Sequence, residues 1–134
     1  MRSMYIKNFD LWNGTKKHLN TTHHIVQAKR REVWWCALGV NVGAEIDGKN
    51  DTFERPVVII KRISVETVIV LPLSTKSTSD THHVALEHDD KTSYAKLSQI
   101  RTISTKRLRR KLFTLPEITF TNLLVRLTSY LASQ

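Results

Sequence analysis

Two apolar runs dominate the middle of the chain, PVVIIKR from Pro56 and TVIVLPL from Thr67. Both are rich in β-branched residues and short enough to be strands, and the four residues ISVE between them predict a hairpin. Upstream, VWWCALG after Glu32 has the same aromatic and β-branched texture and predicts another strand. The segment GVNVGAEIDGKNDTFE that follows holds three of the four glycines, with Asn and Asp between them, and reads as a long, mobile loop. Downstream come VALEH, a turn in HDDKTS and a strand within YAKLSQI. RTIS then leads into TKRLRRKL, read as one or two helical turns.

Helical periodicity appears at the two ends. Near the C-terminus, Thr114 and Glu117 have capping-box spacing around Pro116, ahead of Phe120, Leu123, Leu124, Leu127 and Leu131 on one face. A helix over residues 115–132 is predicted, its apolar face packed on the sheet. Residues 8–19 space Phe9, Trp12 and Leu19 as a short helix would, although Gly14 and Lys16 interrupt the stripe. The expected organisation is a basic N-terminal extension over residues 1–30 and one domain over 31–134. Its fold class is mainly β (α+β): a small, strongly curled antiparallel barrel with a C-terminal helix and a short N-terminal helical extension.

Charge changes the picture. The 134 residues carry a net charge of +9, unevenly placed. Residues 1–31 and 101–134 each hold seven Lys/Arg against one acid, while residues 32–100 hold seven against ten. Basic flanks around a mildly acidic middle fit a polyanion partner, nucleic acid or an acidic peptide. The single cysteine, Cys36, excludes an internal disulfide and a thiolate zinc cage. No apolar run reaches the ~20 residues of a membrane span, and the N-terminus lacks a secretory core, so no membrane partner and a cytoplasmic location are expected.

The hairpin sets the candidate chemistry. With Ser64 and Val65 at the turn, Val57 faces Pro72 and Arg55 faces Ser74; a one-residue change of loop length brings Thr75 opposite instead. Opposed residues share a face with Cβ atoms ~5 Å apart. Pro56 holds Arg55 extended and is tolerated at a strand's start. A guanidinium beside a hydroxyl at a loop-lined rim suits a phosphate. The same residues also fit a bland reading, in which Arg55 pairs with Glu54 or Glu45 and Ser74-Thr75 caps a turn. His82 and His83 are adjacent and diverge in a strand, and His88 with Asp89 and Asp90 lies in a turn, so no metal site is expected. Of Trp34 and Trp35, on opposite faces, one belongs to the core; the other fits a dimer interface or a stacked base.

The run REVWWCALGVNVGAEIDG followed by FERPVVIIK resembles the opening of the PemK/MazF family of toxin endoribonucleases, with its Gly-x-Glu loop and its Arg-Pro ahead of an apolar strand. VIVLPLST resembles that family's second strand, and AKLSQIRTISTKRL its later Gln-x-Arg-Thr segment. The resemblance spans about residues 31–112. It implies an SH3-like barrel that forms a homodimer, cuts single-stranded RNA without metal or cofactor, and is blocked by an antitoxin. It places catalysis on Arg55 and Ser74, with Thr75 beside it, since this chain has Ser-Thr where many relatives have Thr-Ser. Lys76, Lys96, Gln99 and Arg101 are the expected RNA contacts at the same rim. Where some relatives carry an acid before the glutamine, this chain has Ser98, which removes that carboxylate as a base. A non-catalytic module gripping RNA or an acidic peptide on the same barrel is the alternative.

Overall fold

Asn8 caps the first helix, α1 (Phe9–Thr21), its side chain accepting the Leu11 N–H at 3.0 Å. Trp12 and Leu19 are the buried residues of α1 and pack with Ala37, Val40 and Phe53. Gly14 and Lys16 lie on its exposed side, so the interrupted stripe does not stop the helix. The computed structural model describes residues 5–50 and 52–134; residues 1–4 of the extension and Asp51 of the long loop lie outside the described residues.

Seven strands follow: β1 (Glu32–Ala37), β2 (Glu54–Arg62), β3 (Thr67–Ser74), β4 (His83–His88), β5 (Lys91–Lys96), β6 (Arg101–Ser104) and β7 (Leu108–Thr114), before helix α2 (Glu117–Ala132). All pairings are antiparallel, in the order β4-β5-β3-β2-β1-β7, with β6 also on β3. The expected mainly β fold with two helices is what forms. The expected barrel is a curled sheet: β6 and β7 are joined by the single turn Thr105–Arg107, and among the described residues no ladder closes them.

The period-two alternation of β2 divides the core. Val57 and Ile59 enter one cluster with Trp34, Cys36, Val70, Ile103 and Leu108. Val58 and Ile60 enter the other, with Leu71, Leu73 and Leu86, which Phe120, Leu123 and Leu127 of α2 cover. Leu124 is half-buried, but Leu131 is exposed, and Tyr130 takes the last packed position on that face of α2.

The hairpin register has Val57 against Pro72, as expected from the sequence. The turn does not. Residues 64–66 form a longer loop, closed by the Ile63 and Ser64 N–H groups on the Thr67 carbonyl, and a bulge between Ile59 and Lys61 restores the register. The turn between β4 and β5 puts Asp89 and Asp90 at φ 47° and 60°, the conformation of a two-residue hairpin turn.

Two local readings are corrected. RTIS is β6, and only Thr105–Arg107 of the following basic stretch is helical, a single 3₁₀ turn; LRRKL lies in β7. The unpaired backbone edge of β1 outweighs the helix propensity of Lys, Arg and Leu, and the cations keep the sheet's own outer edge soluble. The capping box does not form either. Thr114 stays in β7, Pro116 is the N-cap without a side-chain bond, and Glu117 is the first helical residue, where its charge suits the helix dipole.

Candidate functional site

Arg55 stands at the start of β2, paired with Cys36 of β1. Its guanidinium is held by two backbone carbonyls: Nε donates to Asp47 O at 2.9 Å and Nη1 to Leu73 O at 3.2 Å. Among the described residues, Nη2 meets no acceptor. Neither carboxylate suggested by the sequence pairs with it, since Glu54 takes Arg110 at 3.1 Å and Glu45 takes the Val42 N–H at 2.9 Å. The Asp47 carboxylate binds Lys7 at 3.3 Å, the Tyr5 hydroxyl at 3.0 Å and the Asn41 N–H at 2.6 Å. Burial lowers the Arg55 pKa, with Asp47 and Tyr5 opposing, yet a guanidinium keeps its proton at any working pH. The result is a fixed, half-buried cation with N–H groups to spare.

Ser74 ends β3. The register that faces Val57 with Pro72 sets Arg55 against Ser74 two residues further on, although no ladder pair forms there; Ser74 pairs with Tyr94 of β5. The Ser74 Oγ accepts the Lys76 N–H at 3.1 Å, so it does cap a turn, and its own proton remains available to donate. Thr75 is exposed. Arg55, Ser74 and Thr75 line one cavity of about 230 Å³, with Trp35, Lys49 and Asn50 among its other walls.

The four remaining candidates divide. Burial lowers the Lys96 pKa, and the nearby charges of Arg55, Lys76 and Lys49 lower it further against Asp80. Lys96 and Lys76 therefore share one positive field with Arg55. The Lys96 Nζ also lies 3.3 Å from His83 Nε2, whose Nδ1 is 2.7 Å from the Asp80 carboxylate. Gln99 holds the long loop instead, its Oε1 accepting the Ile46 N–H at 3.0 Å. Arg101 starts β6, paired with Val70 of β3, and its charge acts on Cys36 and Arg107.

Lys49, Asn50 and Trp35 are cavity residues that strand patterning alone does not single out. A bridge from Lys49 to Glu54 folds the end of the loop back beside Arg55. The sequence signal for that fold is Gly48, where any Cβ would meet the Phe53 carbonyl at 1.6 Å. Trp34 is the core tryptophan, its Nε1 donating to Glu32 at 3.1 Å; Trp35 is half-buried beneath the Arg110 guanidinium, 5.1 Å from the ring centre. His82 bonds the Tyr130 hydroxyl at 2.7 Å, and among the described residues no cluster of His, Cys, Asp and Glu could hold a metal. No helix of the described residues is long and apolar enough to cross a membrane.

A family model described as "PemK-like, MazF-like toxin of type II toxin-antitoxin system" matches residues 29–131. The fold is similar to a MazF crystal structure from Deinococcus radiodurans, with a TM-score of 0.64 and 14% identity over 82% of this chain and 99% of that one. It is also similar to an endoribonuclease solved in complex with its cognate antitoxin from a mycobacterial species, with a TM-score of 0.60 and 18% identity over 81% and 98%. No curated protein sequence matches the chain.

Proposed function

The chain belongs to the PemK-like, MazF-like toxin family of type II toxin-antitoxin systems, and from that premise we propose that it is an endoribonuclease cutting single-stranded RNA without a metal ion. The observation that carries this reading is the Arg55 guanidinium, clamped by two carbonyls in the wall of a cavity it shares with two hydroxyls. In the reaction, the 2′-oxygen bonds to the adjacent phosphorus and the bond from phosphorus to the 5′-oxygen breaks. The 2′-hydroxyl gives up its proton and the leaving 5′-oxygen takes one up, leaving a cyclic phosphate and a 5′-hydroxyl.

Arg55 meets the charge that grows on the crowded phosphorane. A donor fixed before the reaction costs no reorganisation during it, and removing one such donor typically lowers the rate ~10²–10³-fold. Ser74, with Thr75 beside it, donates to a non-bridging oxygen and orients the phosphate. Lys76 and Lys96 hold the flanking backbone, Gln99 keeps the loop over the site, and Arg101 extends the basic surface. Residues 31–134 form the catalytic domain, which acts as a homodimer in the cytoplasm. Its partner is an antitoxin whose acidic segment answers the +9 charge of the chain; the structural relative with its cognate antitoxin supports that pairing.

The test is incubation of the purified protein with mixed single-stranded RNA in EDTA. Fragments with a 5′-hydroxyl and a cyclic phosphate are expected. RNA retained but uncut would make the sheet a binding module and overturn the reading.

A further inference from the structure

The family match begins at residue 29, yet Tyr5, Lys7 and helix α1 ahead of it are built into the site. Helix α1 seats Trp12 against Phe53, ring centres 5.4 Å apart, at the foot of the loop that ends beside Arg55. Ahead of the helix, the Lys7 ammonium donates to the Asn41 and Gly43 carbonyls and pairs with Asp47. The Tyr5 hydroxyl reaches the same carboxylate. Burial and the Asp47 carboxylate push the Tyr5 phenol above its ordinary pKa, so it remains a donor.

Between this segment and the loop lies a second cavity, of about 650 Å³. Tyr5, Asn8 and Leu11 wall one side; Asp47, Asn50 and Phe53 wall the other. Arg55, Lys49 and Asn50 line this cavity as well as the one that holds Ser74 and Thr75. Arg55 therefore stands where two chambers meet. A volume within the roughly 300–1,000 Å³ of ligand pockets, an aromatic wall and a fixed cation at the mouth are what a nucleotide needs.

We infer that the N-terminal extension builds a nucleoside subsite: with the scissile phosphate at Arg55, the nucleoside on one side of it enters the chamber walled by Tyr5. The inference rests on the reading of Arg55 as the phosphate-directed cation. Tyr5 is 62% exposed while its hydroxyl is tied to Asp47. Such a tether leaves a face open to a base and limits the freedom lost when one stacks there. Stacking tolerates any base, so the subsite adds affinity and register without demanding one sequence.

The experiment is a cycle on short RNAs with a single internucleotide phosphate and an abasic ribose 5′ or 3′ of it. Binding is read with 2′-deoxy analogues that cannot be cut, so the result stands whether or not the protein proves to be a nuclease. For the wild type, one of the two abasic positions is expected to weaken binding about tenfold or more, the scale of base stacking. Tyr5→Ala should abolish that penalty, and Tyr5→Phe, which keeps the ring and loses only the Asp47 bond, should retain it. Equal penalties in all three proteins, no penalty at either position, or loss of the penalty in Tyr5→Phe as well would overturn the subsite. Cleavage of unmodified RNA by the wild type reports separately on the nuclease reading.

Discussion

The Nη1 of Arg55 donates to the carbonyl of Leu73 at 3.2 Å. One side chain thereby ties the start of β2 to the residue just before Ser74, and its Nε bond to Asp47 adds the long loop to the same knot. The cation is placed by backbone, not by a neutralising carboxylate. A lysine could not imitate this, because an ammonium lacks the planar fork that meets two carbonyls at once.

Placement of the loop depends on a close approach at Gly39. Its φ is +78°, and a Cβ there would stand 1.9 Å from the Trp12 ring. Gly39→Ala should lower stability by about 2–3 kcal/mol through strain and overpacking, read by urea unfolding. Combined with Trp12→Ala, the loss should be smaller than the sum of the two single losses, because the clash is then gone.

Glu32 is the buried carboxylate of β1. It accepts from the Lys29 N–H at 2.8 Å and Trp34 Nε1 at 3.1 Å, and pairs with Lys111 at 3.1 Å. Glu32→Ala should cost about 1–3 kcal/mol, chiefly by stranding the Trp34 donor. Burial raises the Glu32 pKa, but the Lys29 N–H, Lys111 and Trp34 outweigh it, and the folded value lies below the ordinary 4.5. Its charged form is thus favoured by folding. The stability difference between wild type and variant should be full above pH 4.5 and shrink as pH falls through the folded value, followed by denaturation at a series of pH values.

Much of this was legible beforehand, for identifiable reasons. The strands from Pro56 and Thr67 follow from β-branched runs, and the outer register followed even though the turn differed, because the bulge near Ile60 offsets the longer loop. The proximity of Arg55 and Ser74 depends on that register. What periodicity does not carry is competition between elements: LRRKL has helix-forming residues, and only the open edge of β1 makes it a strand. Thr114 fits a capping box, but its backbone is already committed to Glu32 across the sheet. The chamber beside Tyr5 was equally out of reach, since Tyr5 and Asp47 are 42 residues apart and meet only through the docking of α1.

The positive field around Arg55 predicts a salt signature. Lys96→Gln removes one cation from a group that includes Lys76 and Lys49. If Lys96 neutralises one phosphate, the slope of log affinity against log salt for single-stranded RNA should become shallower by about 0.7. Fluorescence anisotropy with an uncleavable RNA at several salt concentrations measures it. An unchanged slope would remove Lys96 from the RNA path.

The most direct measurement is the cleavage rate of Arg55→Ala on single-stranded RNA, taken alongside its circular dichroism and oligomeric state. With fold and assembly unchanged, kcat/KM should fall by at least ~10²–10³. A folded variant that cuts RNA as fast as the wild type would contradict the assignment of Arg55 as the cation that stabilises the reacting phosphate.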